Sequence, residues 1–309
     1  MSPARKRKVV TRVQEGLDVS ERRACRTLSQ PRSTQRYRRK IPGDEAALVK
    51  HMLTLVRRHP RFGYRRIWAL LRREGWPINR KRVYRLWRKE GLKVPVKRRK
   101  RRRLGQSENG CARRRAEHKD HVWAWDFIHD RTESGTALKW LSVVDEFTRE
   151  CLALHADRSI TSEDVIDVLM NLFCTRGVPC HVRSDNGPEF IANALRDWLR
   201  RSSVETLYVE PGSPWENGYA ESFHGRLRDE FLNVEVFSTV REAKVLGEGW
   251  RVDYNEHRPH SALGYRTPTE FAQDGQASPR ACVAPGSGSL RLPQHTRPTK
   301  RSTLIATGT

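Results

Sequence analysis

At residue 120 charge and periodicity change together, so one uniform architecture cannot serve both sides of that point. Residues 1–120 carry 39 basic and 10 acidic side chains, and their apolar residues recur at three- and four-residue spacing. Residues 121–309 carry 21 basic and 26 acidic side chains and open on a period-two alternation. The pattern predicts a cationic helical region followed by a layer of strands and helices. A chain of 309 residues has room for about two domains, each able to bury a core. Its formal net charge of +24 belongs to the first 120 residues and points to a polyanionic partner.

Within the helical region, Ser20 is placed to cap a short helix through Leu28. After Gln30-Pro31-Arg32, the pair Ser33-Thr34 is placed to cap another helix running to about Lys40. Residues 1–43 thus read as a short helix-turn-helix-like segment. Its second helix carries Arg36, Arg38, Arg39 and Lys40, which suit either phosphates or solvent. Residues 44–92 form a better-defined helix-turn-helix unit. Helices are expected at 44–59, with Leu48, Met52, Leu55 and Val56 on one stripe, and at 64–74, with Ile67, Leu70 and Leu71. A third, at 80–90, is capped by Asn79 and closed by Gly91. Its apolar side is Val83, Leu86 and Trp87, and Arg80, Lys81, Arg82, Arg85, Arg88 and Lys89 occupy the rest. Six cations on eleven residues repel one another unless an anion is present. This helix therefore reads as the DNA-recognition helix rather than as a charged exterior.

Residues 93–118 read as a basic linker. The seven consecutive cations at 97–103, with Arg113, Arg114 and Arg115, cannot fold alone and suit a segment laid along a DNA backbone. Residues 273–309 are dense in Gly, Ser, Pro and Thr and are expected to be disordered. The six cysteines, Cys25, Cys111, Cys151, Cys174, Cys180 and Cys282, follow no zinc or disulfide spacing and are expected to be reduced thiols. No apolar run is long enough to span a bilayer, and the charged opening MSPARKRKVV lacks the apolar stretch of a signal peptide, so a soluble, unexported protein is expected.

From His121, Val122, Ala124, Asp126 and Ile128 alternate with Trp123, Trp125 and Phe127. One strand is therefore apolar on both faces and interrupted by a single carboxylate, which is costly there unless compensated. Strands are expected at 138–144 and 151–155 around a turn at 145–149, then a helix at 162–176 and a strand at 181–184 that runs into Asp185-Asn186-Gly187. Ser213, Pro214 and Glu216 form a capping box for a last helix. On it Ala220, Phe223, Leu227 and Phe231 make one stripe, and Asn217, Glu221, His224 and Arg228 another. Asp126, Asp185 and Glu221 are hard oxygen donors with no Cys or His ligand group beside them, which favours Mg2+ or Mn2+ over zinc. Two such ions, about 4 Å apart, suit an in-line phosphoryl displacement. The remaining polar residues have plainer expectations. Asp145 and Glu146 hold backbone donors or Arg149 at their turn, Asp130 and Asp157 are loop acids, and His224, on the stripe of Glu221, either touches DNA or water near the site or, as isolated histidines more often do, serves as a surface or packing residue. Trp123, Trp125 and Trp140 are core.

The neighbourhoods of the three acids carry more than their spacing does. WAWDF around Asp126, SDNGPEF around Asp185 and ENGYAESFHGRLRDE around Glu221 are followed by YNEHRPHSALGYRTPTEFA from Tyr254. Together they closely resemble the catalytic core of insertion-sequence transposases of the OrfB type, which are similar to retroviral integrases. The resemblance covers about 45–272, including a helix-turn-helix at 59–92. It implies an α/β ribonuclease-H-like catalytic core over 119–272, preceded by an all-α helix-turn-helix DNA-binding region. It also implies Asp126, Asp185 and Glu221 as catalytic, metal-binding carboxylates, and Arg228 as a DNA contact. Asn186 and Gly187 match the turn after the second acid, and Asn217 also matches. The implied activity is metal-dependent cleavage at element ends followed by strand transfer. The implied partners are the element's terminal repeats, target DNA and further copies of the chain. The resemblance also implies an OrfA-like upstream-frame partner or fusion that supplies a further helix-turn-helix and a leucine zipper, and no sustained heptad repeat is found in this sequence. The implied location is the bacterial cytoplasm, at the nucleoid. Two other readings compete: a DNA-binding protein without chemistry, and a nuclease that does not join. Carboxylates presented to a polyanion argue against the first, and helix-turn-helix units that choose particular ends argue against the second.

Overall fold

In the computed structural model of the chain, which describes residues 1–38, 42–95, 115–184, 187, 192–208 and 218–274, the first unit spans Met1–Pro60 and the second begins at Arg61. The first unit holds α1 (Pro3–Leu17), α2 (Glu21–Thr27), α3 (Arg32–Arg36) and α4 (Glu45–Arg58). Helix α1 escapes sequence analysis because only Val10 on it is fully buried, so its cations mask the stripe. Val10, Ala24 and Cys25 form a small core, with Val13, Val19 and Leu28 against it. The Ser20 hydroxyl accepts the Arg23 amide and caps α2 as expected. At α3 the expectation needs correction: Pro31 is the N-cap, Ser33 and Thr34 lie inside the helix, and it ends at Arg36. Proline already has a fixed φ and no N–H to leave unsatisfied, so the helix starts there.

The second unit opens with α5 (Tyr64–Arg73) and α6 (Arg80–Lys89). Asn79 caps α6 by accepting the Arg82 amide at 2.8 Å, and Gly75 and Gly91 end the two helices in the left-handed conformation. A five-stranded sheet follows, ordered β3-β2-β1-β4-β5. Its strands are β1 (Val122–Arg131), β2 (Ala137–Asp145), β3 (Cys151–Asp157), β4 (His181–Ser184) and β5 (Glu205–Tyr208). The first three form an antiparallel meander, and β4 and β5 run parallel to β1. Helix α7 (Ser162–Arg176) joins β3 to β4, and α8 (Asn193–Arg201) joins β4 to β5. Beyond them come α9 (Gly218–Leu227), a π-helical turn (Arg228–Leu232), α10 (Val240–Glu256) and α11 (Pro268–Asp274). This sheet order, with helices on both faces, is the ribonuclease-H-like α/β architecture the sequence led one to expect; its short fifth strand, β5, was not among the expected strands.

Residue parity along β1 assigns its two faces. Trp123 and Trp125 enter a core with Ile166, Leu169 and Phe173 of α7 and Trp198 and Leu199 of α8. Ile128 enters the opposite core, with Trp140 of β2, Phe223 and Leu227 of α9, and Ala243 and Tyr254 of α10. The three tryptophans are fully buried, as expected. The even-numbered residues of β1, Asp126 among them, therefore face α9.

Three smaller expectations change. Asp130 and Asp157 lie within β1 and β3 rather than in loops, and Asp157 accepts a hydrogen bond from Lys244 at 2.7 Å. Asp145 accepts the backbone amides of Asp120, Phe147 and Thr148, and Glu146 pairs with Arg183 at 2.8 Å in a buried site, a partner the sequence did not offer, while both acids also act on the charge of Arg149. Cys25, Cys151 and Cys174 are free thiols as expected, whereas Cys180 is disulfide-bonded, which no spacing in the sequence announces. Among the described residues, no helix is long and apolar enough to cross a membrane. Most of the linker, the tail after 274, the capping box at Ser213, Pro214 and Glu216, and Asp185, Asn186 and Asn217 lie outside the described residues.

Candidate active site

Asp126 enters the site because β1 is a long central strand whose alternation turns it toward α9. Opposite it in the β1–β2 register stands Ser142, a small buried residue that shares its face. Helix α9 presents Ala220, Phe223 and Leu227 to the sheet, and the buried Phe231 follows in the π-helical turn. Turned from that face, Glu221, His224 and Arg228 follow one another at helical spacing, with Glu221 and Arg228 exposed. The expected apolar and polar stripes are both present over the described part of the helix.

The residue that joins these elements is His224. Its Nδ1 lies 3.6 Å from Asp126 Oδ2, and its Nε2 lies 2.8 Å from Ser142 Oγ. Burial, reinforced by the charge of Arg228, lowers the His224 pKa to about 4, so the ring is neutral at pH 7. Ser142 Oγ, besides meeting Nε2, donates to the Asp126 carbonyl at 3.2 Å, so the serine bridges the ring to β1. Asp126 Oδ1 accepts the amide of Phe127 at 2.7 Å. The sequence offered His224 contact with DNA or water near the site, or a surface or packing role; its contacts with Asp126 and Ser142 are neither. The clue was its place one turn after Glu221, but Ser142 could be found only from the strand register.

The structure therefore brings Asp126 to the face covered by α9 and carries Glu221 on that helix, while Asp185 lies outside the described residues. Asp126 and Glu221 offer hard oxygen donors suited to Mg2+ or Mn2+, and the neutral His224 adds no competing positive charge. Away from these two acids, His118, His121 and Cys180 bring metal-type donors within 4.8 Å of one another. It lies where the chain enters β1 and β4, its sulfur belongs to a disulfide, and His121 Nδ1 accepts the Glu117 amide at 3.0 Å.

Of the cations assigned to DNA on α6, Arg80, Lys81, Arg85, Arg88 and Lys89 are exposed and Arg82 is half-buried. Tyr84 stands among them, 43% exposed, as an aromatic surface between charges. Val83, Leu86 and Trp87 are buried beneath, as the sequence predicts.

Three stretches of the chain match family descriptions. Residues 43–101 match an HTH-like domain, and residues 116–214 and 202–268 match the integrase core domain in two overlapping parts. The chain is 40% identical over 272 residues to an uncharacterized 31.7 kDa protein of insertion element IS407 from Burkholderia multivorans, covering 88% of this chain and 97% of that one. It is 38% identical over 272 residues to a 39.2 kDa protein of insertion element IS476 from Xanthomonas euvesicatoria, covering 88% of this chain and 78% of that one. It is 32% identical over 267 residues to the transposase InsD of insertion element IS2 from Escherichia coli, covering 79% of this chain and 83% of that one.

Proposed function

Because this chain belongs to the family of insertion-element transposases with an integrase core, we propose that it cuts DNA at the ends of its element and joins them to target DNA, using Asp126, Asp185 and Glu221. The observation that carries this reading is the contact of His224 with Asp126, because it sets the strand bearing the first acid against the helix bearing the third. Asp185 follows Ser184, the last residue of β4, directly in the chain, and β4 is the parallel neighbour of β1.

The three carboxylates would hold Mg2+ or Mn2+, which supplies activation of an oxygen nucleophile and neutralisation of phosphate charge in an in-line displacement. The protein's own residues do the rest. His224 and the Phe127 amide fix the orientation of Asp126, so the carboxylate is set before substrate arrives. Arg228, exposed seven residues after Glu221, meets the DNA backbone beside the site. Helix α6 enters the major groove of the terminal repeat and fixes which phosphodiester is presented. In the first step water attacks that phosphorus, the bond to the bridging 3′ oxygen breaks, and a 3′-hydroxyl is released. In the second step this hydroxyl attacks a target phosphodiester, one P–O bond forms as another breaks, and no external energy source is needed. Two ends must be joined, so the working form is a multimer, with an OrfA-like upstream partner or fusion supplying its coiled coil. It acts at the bacterial nucleoid.

The test is purified protein with a labelled oligonucleotide carrying the element's terminal sequence, in Mg2+ or Mn2+, against Asp185→Asn and Glu221→Gln. Nicking and joining lost in both variants, with end binding kept, is the expected result. Equal activity in either variant rejects the assignment of the acids, and tight binding without chemistry in any form, the fused upstream frame included, favours a DNA-binding protein.

A further inference from the structure

The YNEHRPHSALGYRTPTEFA segment and α5 have no part in the chemistry above, yet they meet. Besides the stripe on the sheet and the stripe bearing Glu221, α9 has a third, Ser222, Gly225 and Arg226, continued by Asp229. With Arg66 of α5 and Glu230, these residues line a cleft of ≈ 410 Å³. Glu230 holds the cleft together. Arg66 Nη1 donates to its Oε1 at 2.7 Å, and Arg258 donates through Nε to Oε2 at 2.6 Å and through Nη2 to Oε1 at 2.7 Å. The Glu230 and Arg258 side chains are 7% and 2% exposed and that of Arg66 is 29% exposed, so a buried pair with a half-buried third member links α5, the π-helical turn after α9 and the segment after α10. Burial alone would raise the pKa of Glu230, but the two guanidiniums bring it below the usual value, so the acid is ionised.

The same helix is anchored twice more. Arg61, just before α5, pairs with Asp229, and Arg73 at its end pairs with Glu270 of α11. Trp68 of α5 meets Tyr265 edge-on, with ring centroids 5.6 Å apart. Helix α6 is in turn fixed to α5, because Trp68 Nε1 donates to the Ile78 carbonyl at 3.0 Å and Tyr64 packs on Tyr84. Helix α6 is thus joined through α5 to the π-helical turn that follows the helix bearing Glu221.

We propose that the Arg66–Glu230–Arg258 triad is a positioning device: it fixes the distance between the sequence read by α6 and the phosphodiester that is cut. The inference rests on the proposed transposase reading. Neither Arg66 nor Glu230 touches substrate; both act through the placement of α5 against α9. The segment from Tyr254 to Ala272 is on this account the socket for the DNA-reading helices.

The decisive variant is Arg66→Met, which keeps an unbranched apolar stem and leaves Glu230 paired with Arg258, so no buried acid is orphaned. In full-length protein with end DNA, affinity for the end should stay within about threefold, while cutting at the native phosphodiester falls about tenfold to a hundredfold and displaced cuts appear. Arg61→Asp should act similarly, and Arg61→Asp with Asp229→Arg should recover the native position, which a loss of stability alone would not do. In hydrogen exchange, the amides of α5 and α6 should lose protection in Arg66→Met while β1 to β3 keep theirs. An unchanged cut position in Arg66→Met overturns the proposal. If wild-type protein binds ends and cuts none, the transposase reading fails separately, and the exchange measurement alone decides whether α5 is coupled to α9: unchanged protection then overturns it.

Discussion

His260 and His224 are both buried beside arginines, and both are held neutral. His260 Nε2 accepts Arg258 Nη1 at 2.9 Å, and burial, then the charge of Arg258, lowers its pKa to about 2. The unfolded chain protonates an ordinary histidine near pH 6.5, so between pH 6.5 and 2 the unfolded state binds a proton that the folded state refuses. The stability owed to a neutral His260 is whole above pH 6.5 and is lost as pH falls below it. At pH 5.5 this amounts to about 1.4 kcal/mol relative to pH 7.5. Urea unfolding of wild type and His260→Asn at these two pH values should show the variant losing less by about that much; equal losses would falsify the assignment. The same two histidines mark what one sequence can disclose. Asp126 was legible because an acid inside a strand of Trp, Ile and Phe has no bland explanation. His224 was not, because its partners Asp126 and Ser142 lie 98 and 82 positions away in the chain, and register is a property of the folded sheet.

At the scale of elements, legibility followed periodicity. Helices α4, α5, α6 and α7 and strand β4 lie within one residue of their expected limits, because caps such as Asn79 and stops such as Gly75 and Gly91 are local chemistry. Helix α1 was hidden by its cations, and β5 is only four residues long, too short for alternation to register. Helix α10 holds a further constraint, at Gly247, where a Cβ would come within 2.5 Å of the Trp140 ring. Trp140 is fully buried between Phe231 and Phe237 and cannot move aside. Gly247→Ala should therefore destabilise the protein by about 1–3 kcal/mol through overpacking. That outweighs the roughly 1 kcal/mol that alanine gains over glycine in a helix. Gly249, two positions further along the helix, meets nothing within 4 Å, so Gly249→Ala should be neutral or stabilising. Thermal unfolding of the two variants side by side checks the pair, and similar shifts of the same sign would reject the close approach to Trp140 as the cause.

Across the whole molecule the positive charge is divided into two kinds, which composition cannot separate. Arg61, Arg66 and Arg73 are spent on Asp229, Glu230 and Glu270 within the second unit. On α6, by contrast, Lys81 and Arg88 stand exposed on the side turned away from Val83, Leu86 and Trp87. Only the second kind can release counterions when DNA binds, so the two sets should differ in the salt dependence of affinity. Replacing Lys81 and Arg88 by Gln should flatten the plot of log K against log salt by about 0.9 for each phosphate that is no longer neutralised. Replacing Arg66 by Met and Arg73 by Gln should leave the slope unchanged. Titration of end DNA and of unrelated duplex at several salt concentrations measures both. If the α6 substitutions weaken both DNAs equally, these residues hold only phosphates. If the end DNA loses about 1–3 kcal/mol more than the unrelated duplex, at least one of them reads a base edge in the major groove. A slope that falls equally for the two sets would mean that the ion pairs of α5 open on binding, and the docking of α5 on the catalytic helix would then belong to the free protein alone.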